Sequence, residues 1–144
     1  MKKRKITTDT VVNVTFAAVM IAIALLMARP VFFLSPEKKV EKAARGNGAA
    51  INLALVVYAR KHENNYPEER LVTGGAGDIL TKEKIISRYP DNPYAKPGTR
   101  MKKVPFGKPS PGDFSYRLNK KGLYGIEVVV YGRRGIVFSK KTGG

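Results

Sequence analysis

SPEKKVEKAARGNGAAINLALVVYARKHENNYP, residues 35–67, carries the pattern that decides the fold. Val40, Ala44, Ile51, Leu55 and Tyr58 recur at three-to-four spacing, with Ala50 and Ala54 beside them. That period matches one face of an α-helix and predicts a helix over residues 35–65. Ser35 suits the N-cap and Pro36 the first helical position, where a missing N–H costs nothing. Glu37 and Glu41 sit near the positive end of the helix, and Lys38 and Lys42 alternate with them to give a mixed exposed side. Gly46-Asn47-Gly48 is the weak point. Each glycine costs about 1 kcal/mol relative to alanine in a helix, so a bend or local melting is expected there. Tyr66-Pro67 then closes the segment, because the residue before a proline avoids the helical region.

Upstream lies an apolar run, VVNVTFAAVMIAIALLMARPVFFL, residues 11–34. Its first part, residues 11–27, is interrupted only by Asn13 and Thr15 and would span roughly 25 Å as a helix. Arg29 can snorkel, and the run to Leu34 makes the segment long enough to cross a bilayer. Pro30 removes a donor and crowds the preceding turn, so the helix is expected to kink there. Lys2, Lys3, Arg4 and Lys5 precede the run, which places the N-terminus in the cytoplasm and exports the remainder. The rival reading is a secretory signal peptide with Leu26-Met27-Ala28 as cleavage context. The run is long for that purpose and no clean Ala-x-Ala follows it.

Downstream, TGGAGD (73–78) superficially resembles a phosphate-cradling loop. It lacks the Gly-Lys-Ser/Thr ending, and no strand clearly precedes it, so a flexible connector is expected. DILTKEKIISRY (78–89) suggests a short helix, and the Pro- and Gly-dense residues 89–113 suggest an ordered loop or a linker. DFSYRL (113–118), LYGIEVVVY (123–131) and IVFS (136–139) are β-prone, separated by turn-like residues 119–122 and 132–135. An antiparallel meander over residues 113–140 is expected. Phe114, Tyr116, Ile126, Val128, Val130 and Val137 would face the long helix.

The chain therefore divides into a basic stub (1–10), a transmembrane helix (11–34) and an α+β domain (35–144). The domain comprises helix 35–65, loops 66–112 and the sheet. With 27 Lys+Arg against 11 Asp+Glu, the formal charge is +16. From residue 100 onward, eleven cations face only Asp113 and Glu127. Such a chain is drawn to phosphates of any kind. A basic surface is expected at Lys102, Lys103, Arg117, Lys120, Lys121, Arg133, Arg134, Lys140 and Lys141, with DNA or an anionic envelope polymer as candidate partner. Tyr116, Tyr124 and Tyr131 lie among these charges and either stack on bases or pack inside the domain.

Several motifs carry a family likeness. INLALVVYARKHENNYP (51–67), RYPDNPY (88–94), PGDFSY (111–116) and YGIEVVVYGRRG (124–135) follow one another in the same order as elements of type IV pilins. The chain resembles that family, and more closely the major pseudopilin of type II secretion. The resemblance implies a pilin-like fold, with a long N-terminal helix packed on a small antiparallel sheet. It also implies a structural subunit, or an accessory, of a type II secretion or type IV filament system. Its partners would be the membrane, other copies of itself and other pilin-like subunits. Val11, Asn13, Phe16, Met20, Ile23, Leu26 and Pro30 would form the membrane helix or filament core. The resemblance places the protein in the inner (cytoplasmic) membrane as a single-pass protein, or in a periplasmic or extracellular filament. RKITTDT (4–10) departs from the family: it holds neither the glycine nor the Phe-Thr-Leu start of a prepilin cleavage site, and Asp9 is its nearest acid. An anchor that stays uncleaved, or is cut by an atypical rule, is expected.

Catalysis has no basis in the pattern. There is no cysteine, so thiol chemistry and thiolate metal sites are excluded. His62, the sole histidine, falls in the charged KHENN stretch and reads as surface, and adjacent Glu68 and Glu69 read as solvating a turn. No Ser/His/Asp set or paired carboxylate has supporting spacing. No cofactor or metal is expected, and two late carboxylates are too few for a calcium site.

Overall fold

The structure, a computed structural model, describes residues 35–119 and 125–142. Lys120, Lys121, Tyr124, the turn at 119–122 beyond its first residue, and everything expected of residues 1–34 lie outside that range. The latter includes Val11, Asn13, Phe16, Met20, Ile23, Leu26 and Pro30. Among the described residues no helix is long and apolar enough to cross a membrane.

The 3.6-residue period produces one long helix, α1, Pro36–Lys61. Ala44, Gly48, Ile51, Ala54, Leu55 and Ala59 form its buried face, while Val40 and Tyr58 are half-buried and Ala50 is exposed. The helix stops short of the expected residue 65. Glu63 and Asn64 adopt left-handed backbone (φ 55° and 65°), and the Asn64 N–H donates to Ala59 C=O at 2.7 Å. That bond caps the last turn in the manner of a Schellman motif and turns the chain aside before Tyr66-Pro67 can do so.

No local melting occurs at Gly46-Asn47-Gly48, and α1 runs through it unbroken. Tertiary packing overrides the propensity. A Cβ on Gly48 would fall 2.6 Å from Phe138 Cδ1 and 2.8 Å from Val130 Cγ2. The glycine is therefore where the sheet comes against the helix backbone.

The sheet is a three-stranded antiparallel meander, β1 Phe114–Asn119, β2 Gly125–Gly132 and β3 Gly135–Thr142, in that spatial order. Register pairs Phe114 with Val130, Tyr116 with Val128 and Leu118 with Ile126. Side chains alternate across the pleat, so these residues share one face, and it is the face that meets α1. Phe138 opposite Val130 and Thr142 opposite Ile126 extend that face, and Thr142 Oγ1 bonds Asn52 Oδ1 on α1 at 3.0 Å. A register shift between Val130 and Tyr131 adds one residue to β3, a bulge of the kind that sharpens local twist. The architecture is α+β: one long helix on a small antiparallel sheet.

The connecting residues hold more order than their composition suggests. A 3₁₀ turn, Glu69–Leu71, and a one-turn helix α2, Ile79–Lys82, lie within them. TGGAGD is not a flexible connector. Asp78 is fully buried, and its carboxylate accepts the N–H groups of Thr73, Gly74 (3.0 Å) and Leu80 (2.8 Å). A buried carboxylate persists only when so satisfied, and here it ties the loop into a fixed turn. A second clasp joins PDNPY to the start of the sheet. Asn92 donates to Pro111 C=O (2.9 Å) and Asp113 Oδ1 (3.2 Å), and its Oδ1 accepts from Tyr94 N–H. Gly112, at φ +80°, passes so close that a Cβ would lie 1.8 Å from Asn92 Oδ1. Only glycine serves there. Residues 102–104 then run beside β1: Phe114 N–H donates to Lys102 C=O and Val104 N–H to Phe114 C=O. Val72, Leu80, Tyr89 and Met101 from these segments complete the core around Ile51, Leu55, Phe114 and Tyr116.

Candidate functional site

The cations that the sequence singles out do not gather on one surface. Arg117, Glu127 and Lys141 are cross-strand neighbours and share the sheet face turned away from α1. Arg117 Nη2 lies 2.6 Å from Glu127 Oε2, and Lys141 Nζ lies 4.0 Å from Oε1 of the same carboxylate. Lys140 pairs with Val128 and therefore stands on the opposite face. Arg133 and Arg134 occupy the tip of the β2–β3 hairpin, and Arg134 Nη2 is 3.4 Å from Glu37 at the start of α1. Lys102 is exposed. Lys103 is turned inward, its Nζ bonding Glu69 C=O and lying 5.8 Å over the Tyr116 ring. Burial holds the Lys103 pKa below its ordinary value, against the opposing pull of Glu69 and Asp78.

A cleft of about 570 Å³ lies between the 3₁₀ turn, residues 103–106 and β1. It collects Arg70, Lys103, Phe106 and Arg117, and the Arg117 guanidinium sits 4.6 Å over the Phe106 ring. Each cation there already has a partner: Arg70 has Glu68 at 2.6 Å, Arg117 has Glu127 and Lys103 has the Glu69 carbonyl. Two of its three cations are thus paired with carboxylates and the third with a carbonyl.

Tyr116 and Tyr131 offer no ring to a base. Tyr116 is buried and donates its hydroxyl to Pro67 C=O at 2.6 Å, and Tyr131 is buried with its hydroxyl 3.0 Å from Ser115 Oγ. Of the two readings open for these tyrosines, interior packing is the one observed. Burial raises the pKa of Tyr116 and Tyr89 well above the ordinary phenol value, with nearby Glu69 and Asp78 respectively adding to it.

His62 is half-buried and engaged. Its Nε2 lies 2.7 Å from Glu83 Oε2, and its ring stacks on Tyr58 at 4.1 Å between centroids. The pair joins the end of α1 to the residue after α2. Glu69 also departs from a solvating role, since its Oε1 accepts the Leu118 N–H at 2.9 Å. Among the described residues no group of three or more His, Asp or Glu side chains lies close enough to hold a metal ion.

The feature that the sequence reading passed over is the outer side of α1. Gly46, Ala49, Ala50 and Leu53 are exposed there, and half-buried Val57 continues the line. Leu53 is 62% exposed, the largest value among the described large apolar residues. Lys39 and Lys42 bound this stripe at one end and Arg60 at the other. The signal was present as the 46-50-53-57 spacing, a second helical period on the face opposite the first. A strong core-facing period masks such a pattern, because glycine and alanine add little to it.

No family model matches the chain, and neither a curated protein nor a solved structure matches it.

Proposed function

We propose that the chain is a membrane-anchored, pilin-like structural subunit, or an accessory, of a type II secretion or type IV filament system. Residues 11–34 are the anchor and the α+β domain is the exported part. The observation that carries this reading is the apolar outer stripe on α1. A helix apolar on one side covers a core, whereas a helix apolar on both sides calls for cover on the second side as well. The stripe lies on the helix that begins directly after residues 11–34 in the chain. A subunit leaving lipid by its anchor would bring the stripe against neighbouring copies. Repeated with rotation and rise, such a heterologous contact builds a helical filament.

The tethered basic module is the weaker reading. Its cations are divided between two sheet faces and a hairpin tip, and four of them have a carboxylate or carbonyl partner.

The anchor is tested by N-terminal sequencing and intact mass of the protein recovered from alkali-washed membranes. A membrane-retained chain that begins at Met1, or within the first residues of the stub, supports the proposal. A soluble chain that begins after Ala28 is a cleaved secretory protein and overturns it.

A further inference from the structure

The loop TGGAGD also shapes the surface beside it. Clamped by Asp78, it forms one wall of a pocket of about 370 Å³, lined by Gly74, Gly75, Ala76, Thr81, Ser87, Arg88, Tyr89 and Arg100. That volume falls within the range of about 300–1,000 Å³ typical of small-molecule sites. No carboxylate lines it. Asp78 stands behind the loop, and its oxygens are taken up by Thr73, Gly74 and Leu80 N–H groups.

The two arginines set this pocket apart from the larger cleft. Neither Arg88 nor Arg100 has a carboxylate within ion-pair distance among the described residues. Arg100 uses Nη1 on the Tyr89 carbonyl at 3.3 Å, which fixes its guanidinium at the rim and leaves its other donors open. Arg88 makes no hydrogen bond within the described residues, and the same holds for the Ser87 hydroxyl. Two exposed guanidinium groups, that of Arg100 held by the Tyr89 carbonyl, a free hydroxyl and a wall of small residues thus surround one concavity. Small residues let a ligand approach the backbone, and guanidinium groups match the paired oxygens of a phosphate. Two monocations balance one dianion.

We propose that this pocket binds a small phosphate ester, its phosphate held by Arg88 and Arg100 with the Ser87 hydroxyl as third donor. The same phosphate chemistry can arrive on a soluble ester or on a phospholipid headgroup. The inference does not depend on the filament reading, because it concerns the domain alone.

The test uses the full chain in uncharged detergent, titrated calorimetrically with glycerol 3-phosphate at low salt. A parallel arm titrates the same sample with short-chain (dihexanoyl) phosphatidylglycerol, with dihexanoyl phosphatidylcholine as the control. Saturable one-to-one binding of glycerol 3-phosphate supports a soluble ester, and saturable binding of the phosphatidylglycerol alone supports a headgroup. In either arm the double variant Arg88→Ala with Arg100→Ala weakens binding at least about tenfold, the scale of losing a charged hydrogen-bond partner. The control Lys140→Ala with Lys141→Ala removes the same charge elsewhere and changes binding by no more than about twofold if the site is local. Ser87→Ala leaves the charge intact and weakens binding about threefold to tenfold, the scale of one neutral hydrogen bond. It carries the test if circular dichroism shows the arginine variant unfolded. Equal weakening by both double variants would mean diffuse charge attraction and overturn the proposal. So would an unchanged affinity in both Ser87→Ala and the arginine double variant, or no binding in either arm.

Discussion

Gly48→Ala places a methyl group where the sheet already touches α1. The added carbon falls 2.6 Å from Phe138 Cδ1, 2.7 Å from Phe138 Cγ and 2.8 Å from Val130 Cγ2. Carbon atoms rest at about 3.5–4.0 Å, so helix and sheet must separate by roughly 1 Å or Phe138 must leave its rotamer. Overpacking of this kind costs about 1–3 kcal/mol. The alanine returns about 1 kcal/mol through helix propensity. Phe138 lies half-buried on the outer strand and can tilt, which keeps the strain from the top of its range. The expected net loss is about 1 kcal/mol, within a range of about 0–2 kcal/mol. Gly46→Ala is the internal control. It sits two residues away in the same helix, and nothing lies within 4 Å of its Cβ position. It should gain about 0.5–1 kcal/mol. For a domain of about 100 residues each kcal/mol moves Tm by roughly 4–8 °C, so the two variants should straddle the parent chain and differ by about 6 °C or more. Thermal melts followed by far-ultraviolet circular dichroism measure this directly. Two variants displaced in the same direction would show that Gly48 is not the point of closest approach, and the helix–sheet packing described above would be wrong.

Other positions give equally direct outcomes. Gly112→Ala combines a left-handed φ with a 1.8 Å approach to Asn92 Oδ1, and should cost about 3 kcal/mol or more in urea unfolding. Asp78→Ala strands three backbone donors and should lower stability by about 2–4 kcal/mol, with proteolytic nicking appearing in residues 73–78. Tyr116→Phe leaves the Pro67 carbonyl without its donor and should cost about 1–2 kcal/mol by the same assay. The pH dependence has a definite sign. Tyr89 and Tyr116 bind their protons more tightly folded than unfolded, so between pH 10 and their raised pKa values the unfolded chain holds fewer protons and stability falls as pH rises. Ultraviolet titration should show these two of the seven tyrosines ionising only as the circular dichroism signal is lost.

Periodicity made the main elements legible. Ile51 and Leu55 on α1, and Phe114, Tyr116, Val128 and Val130 on the strands, lie on the faces their spacing assigned. Local rules failed where distant residues decide the outcome. Gly46-Asn47-Gly48 reads as a breaker, yet Phe138, ninety residues later, makes Gly48 a contact, and the helix continues through it. TGGAGD reads as flexible because the carboxylate that fixes it lies at the end of the motif and is buried only by the fold. The basic residues were legible as charge but not as a surface, since Glu127 and Glu37 reach them only through strand register and hairpin position. Arg88 and Arg100 were missed because nothing local distinguishes them from other cations. Their significance lies in the pocket between them and in the carboxylates they lack.

The filament reading stands or falls on whether the outer stripe of α1 meets other copies of the chain. A photo-crosslinking residue in place of Leu53, which is 62% exposed, reports this in native membranes. One such residue per subunit, in a repeating heterologous contact, links each copy to the next. The account predicts a ladder of dimer, trimer and higher species on a denaturing gel, absent when the same probe replaces exposed Thr99. Monomer alone from the Leu53 position, or a product that stops at dimer, would contradict it.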